Sequence, residues 1–301
     1  MRRDIEFQSE GITCRAWLYT PDRASRGSRS PTIVMAHGFS AVKEMRLDRF
    51  AQAFSEAGLA SLVFDYRGTG ASDGTPRQDL DPHAQIVDYR NAISFARALP
   101  EVDPGRIGIW GSSYSGAHVL VISAIDRRVK AVVSQVPLID SIRTFTRLVG
   151  QATIGEFVRL TIEERERVYR GGAHTMFPVV GKEGEAVMFT PDAVEWFHHA
   201  ARNAPTWKNE CTLSSVERLL EYSPGRWIDR IAPTPLCLVA AETDFLPIDI
   251  SREAFERAGE PKRLAVIPGG HFAPYEDPWF AMASREAVEW FMKWLAPAPA
   301  R

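Results

Sequence analysis

Along the chain, short apolar runs alternate with stretches of helical period. Strand-length runs rich in Val, Ile and Leu stand at 32–36, 60–64, 107–110, 129–133, 236–240 and 264–267. They show little polar alternation, which is the pattern of strands covered on both faces. Between most of them apolar positions recur every three to four residues and predict helices over 46–57, 83–98, 115–125, 248–258 and 279–295. Ahead of this series, residues 4–19 hold two alternating stretches around Ser9-Glu10-Gly11, the pattern of an antiparallel hairpin. The arginine-rich segment 21–30 reads as a polar surface loop, and the closing APAPAR as a frayed end. Strand alternating with helix predicts an α/β protein with a mostly parallel central sheet, helices on both faces and right-handed crossovers.

The rhythm breaks once. Residues 138–230 hold no convincing buried strand and read as helices. Thr190-Pro191-Asp192 offers an N-cap with proline at the first helical position, and Ser214-Ser215-Val216-Glu217 has capping-box spacing. Glu163 with Arg167, and Glu166 with Arg170, are i,i+4 ion pairs on a further helix. The segment is too long for a loop. It predicts an inserted helical cap (138–230) on a core made of 1–137 and 231–301.

Composition narrows the function classes. The 301 residues carry 36 Lys+Arg against 38 Asp+Glu, a net charge of −2, with 45% hydrophobic residues. That is ordinary globular usage, and it offers no broad electrostatic footprint for nucleic acid or an anionic membrane. Cys14, Cys211 and Cys237 are too few for a disulfide framework and form no CxxC pair. The amino terminus lacks the apolar run of a secretion signal, and no run of 18 apolar residues exists to span a membrane. The expectation is a soluble, cytoplasmic protein acting on a small molecule, and self-association into a homo-oligomer is compatible with it.

The chemistry concentrates after the strand at 107–110. In Gly111-Ser112-Ser113-Tyr114-Ser115-Gly116, a buried strand ends and a helix of small residues begins. Gly111 and Ser115 flank Ser113 at two residues either side, the small-x-Ser-x-small layout of a nucleophile elbow, whose sharp turn pushes the central hydroxyl into the open. Ser115 is the rival, because Ser113-x-Ser115-x-Ala117 has the same spacing; the strand end places Ser113 nearer the apex.

A serine needs a base, and the base an orienting acid. His271 follows the last apolar strand in Pro268-Gly269-Gly270-His271, where two glycines supply the turn. Asp244, in the loop after the strand at 236–240, is the leading acid, with Asp140 and Glu242 as alternatives. In Met35-Ala36-His37-Gly38-Phe39-Ser40 the loop after the first buried strand can aim backbone N–H groups at the site. The expected oxyanion donors are the amides of Phe39 and Tyr114, with His37 shaping the loop.

These elements, in this order, resemble the α/β-hydrolase fold superfamily over nearly the whole chain. More narrowly, HGFSAVKE, FDYRGTGASDG and GIWGSSYSGAH resemble its dienelactone-hydrolase and acyl-peptidase-like branch, which includes relatives described as polyketide transferases. The elbow departs from the commonest GxSxG form at Ser115. The resemblance implies Ser113, Asp244 and His271 as the triad of a serine hydrolase without cofactor or metal, cleaving an ester, thioester or lactone. Acyl transfer to an alcohol, amine or thiol, or cleavage of a small peptide or amide, are the alternatives.

The remaining motifs carry less. Arg67-Gly68-Thr69-Gly70-Ala71-Ser72-Asp73-Gly74 lacks the Gly-Lys-Ser/Thr of a phosphate-cradling loop. His174, His198 and His199 have no carboxylates or cysteines at ligand spacing, and His118, one turn into the elbow helix, reads as a packed residue. The three cysteines read as structural.

Overall fold

The computed structural model describes residues 1–21 and 29–295. Most of the 21–30 loop and the APAPAR tail lie outside the described residues. Strands β1 (Arg2–Ser9) and β2 (Ile12–Tyr19) form the expected hairpin, closed by Glu10 and Gly11, both at positive φ. Such a two-residue turn matches the twist of the strands it joins.

The alternating part follows as β3 (Ser30–Ala36), α1 (Leu47–Glu56), β4 (Ala60–Phe64), α2 (Pro82–Ala98), β5 (Val102–Ser112), α3 (Tyr114–Ile125) and β6 (Val129–Gln135). It resumes, after the long interruption, as β9 (Leu236–Ala241), α7 (Ile248–Arg257), β10 (Lys262–Ile267) and α8 (Trp279–Leu295). The eight strands run in the order β1-β2-β4-β3-β5-β6-β9-β10. Only the hairpin and its junction with β4 are antiparallel; every other pairing is parallel. β5 is longer than the apolar run at 107–110 because it begins at Val102 and runs through Pro104-Gly105, where its register against β3 shifts. Proline and glycine hide such an irregular strand from periodicity.

Burial explains the layers. Every residue of β4 and β9 is buried, and every residue of α3 except Ile125. A helix apolar on all sides belongs inside. α1 and α8 pack on each other through Phe54 and Phe291, while α2 packs on α3. Gly108 lets α8 approach the sheet: a Cβ there would lie 2.8 Å from both Ile33 and Phe291. Asp81 caps α2, accepting from His83 N–H at 2.8 Å, with Pro82 in the first turn.

Between β6 and β9 the chain leaves the sheet as α4 (Ser141–Tyr169), β7 (Met176–Phe177), α5 (Pro191–Ala201), β8 (Cys211–Thr212), α6 (Leu213–Glu221) and a 3-10 helix (Pro224–Arg230). It is helical as expected, but β7 and β8 pair as a minimal antiparallel ladder. α4 is two helices joined at Gly150, whose φ of 83° and ψ of 158° are not helical.

Three local expectations need correction. Ser214 does not cap α6: Thr212 does, accepting from Ser215 N–H at 3.1 Å, because β8 delivers the chain in extended form two residues earlier. The Ser215 hydroxyl instead accepts from Leu80 N–H at 2.7 Å. Thr190 stands at the start of α5 but makes no side-chain cap bond. Glu163 pairs with Arg159, and Arg167 with Glu164, whose carboxylate is buried and also accepts from Thr175. Of the two expected pairs, Glu166 with Arg170 forms, at 2.8 Å. Among the described residues no helix is long and apolar enough to cross a membrane.

Candidate active site

Because β3, β5, β9 and β10 are parallel, their carboxyl ends share one edge of the sheet. The loops that leave that edge carry Phe39, Ser113, Asp244 and His271 in turn. Crevices at this edge are where open α/β sheets place ligands.

The turn from β5 into α3 is tight. Ser113 has φ 57° and ψ −114°, a strained conformation for a residue with a side chain. Its N–H donates to Gln135 O at 2.8 Å, which anchors the turn to β6. Gly111 is obligatory: a Cβ there would meet Ser115 O at 2.2 Å. Gly116 is equally tight, its Cβ position lying 2.7 Å from Gln135 O.

Ser113 Oγ lies 2.9 Å from His271 Nε2. On the other side of the ring, Nδ1 lies 2.9 and 3.0 Å from the two carboxylate oxygens of Asp244. A carboxylate only accepts, so Nδ1 carries the proton and Nε2 is free to accept from the serine hydroxyl. Asp244 is held in turn by Leu246 N–H, donating to Oδ1 at 2.8 Å. Gly269, at φ 110°, shapes the turn before His271, and its carbonyl accepts from Thr243 N–H at 2.9 Å. The acid loop and the base loop are thereby tied together.

The rival residues sit elsewhere. Ser115 Oγ is hydrogen-bonded to the Tyr66 hydroxyl within the core. Asp140 caps α4, accepting from Arg143 N–H at 3.2 Å, and Glu242 is exposed. Neither carboxylate bonds His271 among the described residues.

Phe39 and Tyr114 line the cleft with Ser113, their rings in edge contact at 5.4 Å. Gly38 presses against the nucleophile, a Cβ there standing 3.0 Å from Ser113 Cβ. His37 is buried, its Nδ1 bonded to Gly38 O at 3.0 Å, and burial lowers its pKa.

One group was not singled out in the sequence. Asp65, fully buried at the end of β4, accepts from Lys43 N–H at 2.7 Å, Lys43 Nζ at 2.6 Å and Ala71 N–H at 3.0 Å. It knots the loop bearing Gly38 and Phe39 to the glycine-rich run, where Gly70 leaves room for the carboxylate. An aspartate closing a buried strand ahead of glycines was the available signal. This carboxylate occupies the centre of the run, so a phosphate has no place there.

The other histidines that the sequence set aside lie outside the triad. His118 bonds Tyr222 and Gln85, both at 2.9 Å, and burial pushes its pKa down to about 3. His174 lies 3.3 Å from the Ser214 hydroxyl, and His198 and His199 end α5. Burial pushes the Cys211 and Cys237 thiols up to about 12 and raises Cys14 as well, so none is a thiolate nucleophile.

A serine on a strand–helix elbow, bonded to a histidine that an aspartate orients, at the carboxyl edge of a parallel sheet, defines a serine hydrolase of the α/β-hydrolase superfamily. The model of the X-Pro dipeptidyl-peptidase (S15) family matches residues 10–273, and the chain belongs to that family. It is 33% identical over 298 residues to the quorum-quenching protein AidA of Acinetobacter baumannii, covering 98% of this chain and 95% of that one. Thiohydrolase aneE of Aspergillus aculeatus is 31% identical over 274 residues, 87% of this chain and 83% of its own. Among solved structures, the α/β hydrolase GrgF from Penicillium sp. sh18 superposes with a TM-score of 0.85 at 28% identity, covering 99% of this chain and 100% of that chain.

Proposed function

We propose that the protein cleaves a carboxylic ester, thioester or lactone through an acyl-enzyme on Ser113. The observation that carries this reading is the unbroken run of hydrogen bonds from Asp244 through His271 to Ser113. His271 Nε2 takes the hydroxyl proton as Ser113 Oγ bonds to the acyl carbon. The same proton passes to the leaving atom as its bond to that carbon breaks, and water then releases the acid by the reverse relay. Asp244 holds the tautomer and stabilises the imidazolium. The amides of Phe39 and Tyr114 bind the oxyanion, each such donor contributing about 3–4 kcal/mol to the transition state.

In this reading residues 138–230 are a cap over the core, supported by Phe145, Val187, Met188 and Leu219 lining the cleft that holds Ser113. The three unpaired, buried cysteines support a reducing, cytoplasmic setting. No cofactor is required.

A fluorophosphonate probe tests the nucleophile. Labelling is expected to vanish in Ser113→Ala and to persist in Ser115→Ala; a labelled Ser113→Ala protein overturns the reading. The apolar lining of the cleft favours one second reading, acyl transfer to an alcohol, amine or thiol, since excluding water protects the acyl-enzyme. Purely hydrolytic product under saturating acceptor counts against it. A small peptide anilide in the same assay tests the peptidase alternative.

A further inference from the structure

A cavity adjoins the site without reaching the nucleophile. It has a volume of about 260 Å³ and lies between the two arms of α4, the 183–189 loop and α6. Phe145, Val187 and Leu219 line both this cavity and the cleft that holds Ser113, so the two spaces adjoin across those three side chains. A second cleft also reaches Ser113, and this one, unlike the first, is bordered by His271, Trp196, Phe197 and Phe272.

Chemistry orients a substrate between these two clefts. The proton that His271 removes from Ser113 must reach the leaving atom, so the leaving group lies on the histidine side. The acyl chain then takes the other cleft, the one that shares Phe145, Val187 and Leu219 with the cavity. We propose that the cavity receives the acyl chain of the substrate, that it suits roughly ten carbons, and that it disfavours a negative charge at the chain's far end.

The length follows from the volume. An apolar cavity of about 150 Å³ takes benzene, and by that measure 260 Å³ takes roughly ten carbons. Charge selection follows from the rim. Glu156 and Glu183, both exposed, line the cavity but not the Ser113 cleft, and no basic side chain lines either space. A carboxylate-tipped chain would meet like charge there while losing part of its hydration. A neutral or amine-tipped chain would not.

This inference rests on the acyl-enzyme reading, and its test separates the two. Rates are measured on p-nitrophenyl esters from acetyl to hexadecanoyl, alongside fluorophosphonate labelling. The expected kcat/KM rises toward decanoyl and falls beyond it. Leu220→Trp, which fills the cavity from α6, should lower the decanoyl-to-acetyl ratio at least tenfold. Val149→Trp should do the same from the facing arm of α4, so that one misfolded variant does not decide the matter. An octanoyl ester should exceed its carboxylate-tipped counterpart at least threefold, and Glu156→Gln with Glu183→Gln should narrow that gap. A flat chain-length profile, with Ser113 still labelled, overturns the cavity assignment and leaves the serine hydrolase reading standing. So do Trp variants that keep the wild-type ratio. A wild-type protein that takes no label on Ser113 overturns both.

Discussion

His118 is a titratable side chain enclosed by the packing around the elbow helix. Burial lowers its pKa to about 3, so below its ordinary value near 6.5 the unfolded chain takes up a proton that the native ring refuses. The unfolded state then binds more protons, and stability falls as pH falls from 6.5 toward 3. His37, lowered by burial too, acts with the same sign. Between pH 6.5 and 5 the His118 contribution amounts to about 2 kcal/mol. Urea unfolding at the two pH values should show that loss in the wild type, and His118→Gln should remove about that much of it. An unchanged pH difference in the variant would contradict the assignment. At this scale the sequence was informative about Ser113, His271 and Asp244, because each sits just beyond a readable strand and chain order constrains the rest. It marked Asp65 only as an aspartate ahead of glycines and did not reveal its pairing with Lys43, since that depends on how two loops cross, and no spacing encodes it.

Between neighbouring elements, the same contrast has a physical basis. Strands buried on both faces announce themselves as apolar runs, so the central sheet was legible. β7 and β8, two residues each, are too short to carry a period. The bend in α4 was hidden because a single glycine within helical periodicity carries no direction. Gly150 has φ 83° and ψ 158°, and a Cβ there would meet nothing within 4 Å. The cost of replacing it is therefore one of backbone conformation alone, about 1–3 kcal/mol. Gly150→Ala should lower the urea midpoint accordingly, and a neutral result would mean that α4 straightens without penalty. Because Phe145 and Val149 lie before the bend and Phe157 after it, a straightened α4 would also reshape the cavity between its arms.

Over the whole molecule, the parallel sheet does what no single element could. It delivers four loops, drawn from positions between 37 and 271, to one edge. The hairpin β1–β2 extends the opposite flank and contributes none of the four. From the segment 138–230, Phe145, Val187, Met188 and Leu219 line the cleft that holds Ser113.

The buried thiols have a consequence for how this protein can be watched. Cys14 sits on β2, Cys211 on β8 and Cys237 on β9, so each marks a different region. With their pKa values raised, a thiol-directed reagent at neutral pH reacts with a region only while that region is open. If the inserted segment opens ahead of the sheet, Cys211 will be modified before Cys237, as mass spectrometry of timed samples would record. Equal rates at all three would mean that the molecule opens as one unit. The chain thus carries three intrinsic clocks, one in the hairpin, one beyond the sheet and one on the strand next to its far edge.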